Sequence, residues 1–253
     1  MSDLGLTWWG HASSTVTLGG VRLAFDPVFP PQLAHLRRRG DVPPPAASTA
    51  DLVLISHLHA DHLHLGTLRG FPATTELIVP MGAGRLLRRL PHRVTEVPPH
   101  GTLVRRGLAI EALPAHHPPH RFPGSRAQAP PLGFRVSGSG TSVWFPGDTG
   151  LFDGLEEVGE VDLALVPIGG WGPSLGEHHL DPAQAVEAVR RVGAQWAVPV
   201  HYGTYWPLGL ELARRTRRRL FVEPPTYFAD ELRRRLPGVR LDIPAPGAPI
   251  RSD

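Results

Sequence analysis

The stretch "LVLISHLHADHLHLG", Leu52 to Gly66, decides how the rest of the chain is read. Four apolar residues lead into four histidines and one aspartate within eight positions. A short continuous apolar run of this kind predicts a strand buried on both faces. The imidazoles therefore come where that strand leaves the sheet. His57 and His59 are two apart, so an extended backbone points both rings to the same side. Asp61 and His62 follow as the chain turns, and point elsewhere. One stretch thus offers two pairs of ligands, suited to two neighbouring metals. This differs from H-E-x-x-H on a helix, where one turn brings two histidines to a single zinc. The chain has no cysteine, so a metal site must use nitrogen and oxygen donors.

Working outward, three more apolar runs end in residue types that bind metals. "AIEALPA" ends at His116 and His117, "SVWFPG" at Asp148, and "WAVPV" at His201. Strands that share a sheet bring their ends to common edges, so residues far apart in sequence can converge there. Other strands are predicted in "LTWWGHASSTVTL" and "VRLAFDPVF", with "LGG" between them as a hairpin turn. "GAGRLLRRL" reads as a short helix. "DPAQAVEAVRRVGA" reads as a longer one, with Asp181 as N-cap, Pro182 at the first position and Gly193 ending it. An Arg-rich helix is expected around Leu210 to Leu220, and the tail "PAPGAPIRSD" is expected to fray. A Pro/Arg-rich loop at about 30–50 is longer than a plain connection and suggests a lid or binding loop. Strands dominate the first half and alternate with helices later. Two sheets with helices outside account for that order, and no Gly-rich loop opens a helix after the first strand as a dinucleotide fold requires.

Composition narrows the class. The 253 residues are 41% hydrophobic and 19% charged, as expected of a folded chain with a real core. One domain spanning 1–253 is expected. No apolar run reaches the length of a transmembrane helix, and the start lacks the pattern of a secretory signal, so a cytoplasmic address is expected. All 26 basic side chains are arginines, yet the net charge is only +3. The arginine runs at Arg37 to Arg39, at Arg214 to Arg219 and at Arg233 to Arg235 read as solvated helix faces or loops. Stable nucleic-acid binding is not expected.

With these motifs in view, the chain resembles the metallo-β-lactamase superfamily of metal-dependent hydrolases. The nearest branch is that of N-acyl-phosphatidylethanolamine phospholipase D and the ascorbate-6-phosphate lactonases. The resemblance rests on "WWGHASSTVTLGGVRLAFDPVF", "DLVLISHLHADHL", "PAHHPPHR", "FPGDTG", "DLALVPIGGW", "HLDPAQAV" and "VPVHYGTY", from about Leu6 to Tyr205. It implies an α/β fold, the four-layer αβ/βα sandwich, with a two-metal site at one sheet edge. By the same resemblance, His57, His59 and a histidine of "PAHH", best matched by His117, would bind one metal. Asp61, His62 and His201 would bind the second, with Asp148 bridging. His64 stands where relatives often carry an acid, which leaves the outer hydrogen bonding open.

The chemistry this implies is hydrolysis by a hydroxide activated between two divalent ions, zinc first, manganese or iron as alternatives. Asp61, Asp148 and His179 are the candidate catalytic residues, and Arg121, His179 and Tyr202 the candidate substrate contacts. Arg121 can fork onto a phosphate or carboxylate, or brace neighbouring structure. His11 is placed near the site as a donor, and Asp26 is expected to fix a loop through a turn. Trp8, Trp9, Trp171, Tyr202, Tyr205 and Trp206 either wall a pocket or pack in the core. A phosphodiester, lipid-like or nucleotide-like, is the first substrate reading, and a sugar lactone the second. A non-catalytic nucleic-acid or membrane-surface binder using the arginine clusters is the reading from another class. A homo-oligomer is compatible with all three.

Overall fold

Two-residue turns set the antiparallel parts of the fold in the computed structural model, which describes residues 4–170 and 175–252. Gly19 and Gly20 (φ 57° and 79°) join Ser13–Leu18 to Val21–Phe25. Arg106 and Gly107 (φ 54° and 80°) join Thr102–Arg105 to Leu108–Pro114. Ser139 and Gly140 (φ 52° and 74°) join Leu132–Gly138 to Thr141–Phe145. Left-handed backbone at both central positions gives the turn whose twist matches that of the strands it joins.

Two seven-stranded sheets result. The first runs in the order Pro249–Arg251, Gly5–Gly10, Ser13–Leu18, Val21–Phe25, Leu52–Leu54, Glu76–Pro80 and Arg93–Val97. The second runs Arg240–Leu241, Trp196–Val200, Leu163–Pro167, Thr141–Phe145, Leu132–Gly138, Leu108–Pro114 and Thr102–Arg105. Their facing sides share a core that includes Leu23, Phe25 and Leu54 from one sheet and Phe134, Phe145 and Val198 from the other. The Phe25 and Phe145 rings meet at 4.9 Å between centroids. Full burial of each such side chain contributes about 1.5–3 kcal/mol.

Helices cover the outer faces unequally. Pro182–Arg191 and Pro224–Arg235 bury Val186, Val189, Phe228 and Leu232 in the cluster on the outer face of the second sheet. Asp181 and Gln184 cap the first of these reciprocally, and Gly193 (φ 55°) lies just past its end, as the sequence predicted. The first sheet carries the short turns Pro45–Ser48, Leu65–Leu68 and Gly84–Leu87. The layering is αβ/βα, with one thin outer layer.

Five local expectations need correction. "LTWWGHASSTVTL" is not one strand: Gly10 and His11 take positive φ (95° and 54°) and fold it into an antiparallel pair. The Pro/Arg-rich segment at about 30–50 is not all loop: Gln32–Leu33 and Leu36–Arg38 join Tyr205–Pro207 in a small third sheet. Within it Arg38 is buried, not solvated; it donates to Trp9 O at 3.1 Å and Val28 O at 2.7 Å. The Arg-rich segment is broken into Leu210–Leu212, Arg214–Arg217 and Arg218–Val222. The tail is pinned, since Pro249–Arg251 pairs with Gly5–Gly10 as an edge strand.

Topology gathers the chemistry. Val21–Phe25 and Leu52–Leu54 run parallel in the first sheet, so Asp26 and Ser56–His57 emerge at the same end. Thr141–Phe145, Leu163–Pro167 and Trp196–Val200 run parallel in the second, so Asp148, Gly169 and His201 do likewise.

Candidate metal centre

Three imidazole nitrogens meet on one side of this edge. His59 Nδ1 lies 3.1 Å from His57 Nε2 and 3.1 Å from His117 Nε2. Beside them, His62 Nε2 lies 3.1 Å from His201 Nε2 and 3.3 Å from Asp148 Oδ2. His201 Nε2 in turn is 3.1 Å from Asp148 Oδ1, and Asp61 Oδ2 is 3.9 Å from His62 Nε2. Asp148 also meets His179 Nε2, at 3.4 Å. Among the described residues, His57, His59 and His117 form one group that could hold a metal ion. Asp61, His62 and His201, with His11, form another, and Asp148 joins a third with His117 and His179.

The outward nitrogens decide what faces inward. His62 Nδ1 donates to Asp26 Oδ2 at 2.7 Å, and His201 Nδ1 to the Gly169 carbonyl at 3.0 Å. His117 Nδ1 donates to the His178 carbonyl at 3.0 Å, and His57 Nδ1 to Ser56 Oγ at 2.9 Å. Each of these rings therefore turns a lone pair inward when neutral. Lone pair then opposes lone pair between His62 and His201, and faces a carboxylate oxygen at Asp148 Oδ1, which is buried with no hydrogen-bond partner. Acceptors crowded in this way repel one another until a cation sits among them. The donor set fits divalent metals, and the outer partners are those that fix the tautomer of metal-bound histidines.

Electrostatics agree with that reading. Burial, then the neighbouring imidazoles, hold His57 well below the ordinary histidine value. Burial is also the main reason that His117 and His11 are pushed down to about 3, so both rings stay neutral and His117 is able to ligate. Burial opposes the charge of Asp61 and Asp148, but the surrounding histidines outweigh it and keep both carboxyls below their usual range. Burial works against a charge on His62 too, yet Asp148 and Asp61 overcome it and pull its pKa well above the ordinary value. In the bare protein a proton is thus drawn to the place where a cation would sit. His179 is also raised: burial is outweighed by its hydrogen bond and charge interaction with Asp148.

The supporting shell was only partly foreseen. Asp26 does more than fix a turn: fully buried and at φ 39°, it accepts Ser56 N at 2.7 Å, the Ser56 hydroxyl, and His62 Nδ1. It supplies the outer hydrogen bond that the histidine at position 64 put in question. His64 instead caps the turn Leu65–Leu68, accepting from Thr67 N. His11 Nε2 donates to Asp61 Oδ2 at 3.0 Å, and its ring lies 4.0 Å from that of His201. The Gly169 and His178 carbonyls have no side-chain signature and escaped the sequence reading.

Of the two adjacent histidines, His117 points into the cluster, while His116 sits edge-on to His178 with ring centroids 5.0 Å apart. Arg121 donates to the carbonyls of Leu58 at 2.7 Å and Leu63 at 3.3 Å, so it clasps the loop that bears the ligands. The Tyr202 ring stacks on Trp8 at 4.9 Å. It lines a cleft of about 380 Å³ whose walls include none of the candidate ligands. Arg121 and Tyr202, expected as substrate contacts, are here seen against the ligand loop and against Trp8 respectively. Trp8 and Tyr205 are core residues, Trp9 is half-buried with its indole donating to Thr15 Oγ1, and Trp206 stacks under Arg39. Trp171 lies outside the described residues.

Comparison with known proteins agrees with this geometry. The beta-lactamase superfamily domain matches residues 21–202. The chain is 31% identical over 235 residues to the N-acyl-phosphatidylethanolamine-hydrolyzing phospholipase D 1 of Caenorhabditis elegans. That match covers 82% of this chain and 66% of the enzyme, so it spans just under two thirds of the relative's length. A metal-dependent hydrolase of Methanopyrus kandleri is 31% identical over 210 residues, covering 80% of this chain and 86% of that one. Among solved structures, a metallo hydrolase of the archaeon Ignicoccus hospitalis superposes with a TM-score of 0.71 at 22% identity, over 99% of both chains. This last likeness speaks for the fold alone.

Proposed function

This chain belongs to the beta-lactamase superfamily of metal-dependent hydrolases, and from that premise we propose that it hydrolyses phosphodiesters with two divalent ions, zinc by preference. The observation that carries the reading is the pair of inward-facing donor sets with Asp148 between them. His57, His59 and His117 would hold one ion, and Asp61, His62 and His201 the other, with Asp148 shared. Nitrogen-rich donors with carboxylate oxygens suit zinc and also admit manganese or iron. When bound, such ions supply Lewis acidity towards water and towards a substrate oxygen.

The chain's own groups do the rest. Asp26 and Ser56 orient His62 and His57, and His11 steadies Asp61. His179, whose Nε2 faces Asp148 at 3.4 Å, is the candidate to contact the substrate or to pass a proton to the leaving oxygen. Arg121 holds the ligand loop in register. The phosphodiester class, lipid-like or nucleotide-like, is favoured by likeness to an enzyme named as a phospholipase D.

The test is hydrolysis of bis-p-nitrophenyl phosphate by the zinc-loaded protein. Activity should vanish with a chelator, return with zinc, and be absent in Asp61→Ala and Asp148→Ala. A loaded protein that hydrolysed lactones and no phosphodiester would overturn the substrate class.

A further inference from the structure

The two histidines that group with Asp148, His117 and His179, are oriented by one short strap. His117 Nδ1 donates to the His178 carbonyl at 3.0 Å, and His179 Nδ1 donates to the Leu175 carbonyl at 2.9 Å. The acceptors are backbone atoms within residues 175–179, so the rings are only as well placed as that backbone. The strap in turn rests on Gly150, two residues beyond Asp148. A Cβ built at Gly150 would stand 1.8 Å from the Glu177 carbonyl oxygen and 2.9 Å from its carbon. Real Cβ atoms essentially never come within 3.0 Å of such a neighbour. Both sides of the contact are backbone, so neither can swing aside as a flexible side chain would. Gly150 is itself tied down, its N–H donating to the His116 carbonyl at 3.1 Å. Its φ is not in the left-handed region. A glycine is therefore needed here for close approach and not for backbone freedom.

We propose that Gly150 is a positioning residue for the metal centre: the bare α-carbon lets the Glu177 backbone seat against it, which brings the Leu175 and His178 carbonyls onto His179 and His117. This rests on the reading that His57, His59 and His117 hold a metal ion. A methyl group at Gly150 must push the strap away by about an ångström, because Gly150 is buried whereas Gly176 and Glu177 are exposed, so the strap is the side that gives way. A hydrogen bond of 3.0 Å stretched by that much is broken. His117 then loses its fixed tautomer and aim. Loss of such an outer partner typically weakens metal binding 10–100-fold.

The experiment measures zinc affinity of both sites by competition with a chelating dye, together with the visible spectrum of the cobalt-substituted protein. Gly150→Ala should weaken one of the two ions about 10–100-fold and alter the cobalt bands of the three-histidine site. The second ion, at Asp61, His62 and His201, should keep its affinity. Gly238→Ala serves as the control, since nothing lies within 4 Å of a Cβ there. Should Gly150→Ala fail to fold, Gly176→Ala strains only the strap: its φ is 63° and the surrounding space is open. It should weaken the same ion by a smaller factor. Wild-type affinity and an unchanged cobalt spectrum in Gly150→Ala, or in Gly176→Ala where the first does not fold, would overturn the inference while leaving the metal centre standing. A wild-type protein that bound no metal would overturn both.

Discussion

Replacing Asp26 by Asn tests how the metal centre depends on a residue that touches no metal in the proposed arrangement. Asn is nearly isosteric and tolerates the positive φ of 39° at this position, so the backbone should hold. Asp26 Oδ1 accepts Ser56 N and Oδ2 accepts both Ser56 Oγ and His62 Nδ1. An amide has one oxygen, so its nitrogen must replace one of these acceptors. With the oxygen kept on Ser56 N, the NH2 group faces His62 Nδ1, donor against donor at 2.7 Å. The ring escapes by moving its proton to Nε2, the atom that faces His201 and Asp148. A protonated Nε2 cannot ligate. The expected result is at least a 10–100-fold loss of affinity for the ion at Asp61, His62 and His201, or about 1.4–2.7 kcal/mol, with a parallel fall in hydrolysis. The three-histidine site should weaken less, because His57 feels the change only through Ser56 Oγ, which loses its acceptor at Asp26 Oδ2. The assay is zinc titration of the chelated protein, with the His62 tautomer followed by nitrogen-15 NMR. Wild-type affinity at both sites in Asp26→Asn would refute the reasoning, because it would mean that His62 does not depend on its outer partner.

Other outcomes follow from the same geometry. Arg121→Ala strands the Leu58 and Leu63 carbonyls and should lower stability by about 1–3 kcal/mol in urea denaturation; a raised KM with unchanged stability would instead assign the guanidinium to substrate. His117→Ala should lose one of two bound zinc ions by elemental analysis, whereas His116→Ala, whose ring turns away, should keep both. Acid should destabilise the chelated protein. His11 and His117, held down to about 3 in the fold, titrate near 6.5 when unfolded, so between those values the unfolded chain binds more protons and the midpoint of thermal unfolding falls as pH drops; His57 and His59, also lowered in the fold, act in the same sense. His62 and His179, raised in the fold, act in the opposite sense only above pH 6.5, where their contribution is lost. A flat thermal midpoint from pH 6.5 to 4 would contradict these assignments.

Much of this was legible in the sequence because the informative residues sit at strand ends. His57, His117, Asp148 and His201 each follow an apolar run, and parallel strands carry those ends to one edge. The paired-glycine turn at Gly19 and Gly20 and the N-cap at Asp181 were equally plain, since each is a local signal with a local cause. What escaped was long-range. Asp26 reaches His62 across 36 positions, and nothing near "FDP" announces a histidine partner. The Gly169 and His178 carbonyls act through backbone, which any residue type supplies. Gly10 and His11 hid a hairpin inside an apparently continuous strand, because a positive φ at a histidine has no signal in the residue type and the partner of its N–H, Thr204 Oγ1, lies 193 positions away. Arg38 looked like part of a solvated run, and only the fold shows its guanidinium closing on Trp9 O and Val28 O.

The central claim is that two cations occupy the edge where these side chains meet. Anomalous diffraction from a crystal grown with zinc tests it most directly. The account predicts two peaks, one among His57, His59 and His117 and the other among Asp61, His62 and His201, with Asp148 within coordinating reach of both. No peak at these side chains, or a single peak held only by the first group, would contradict it.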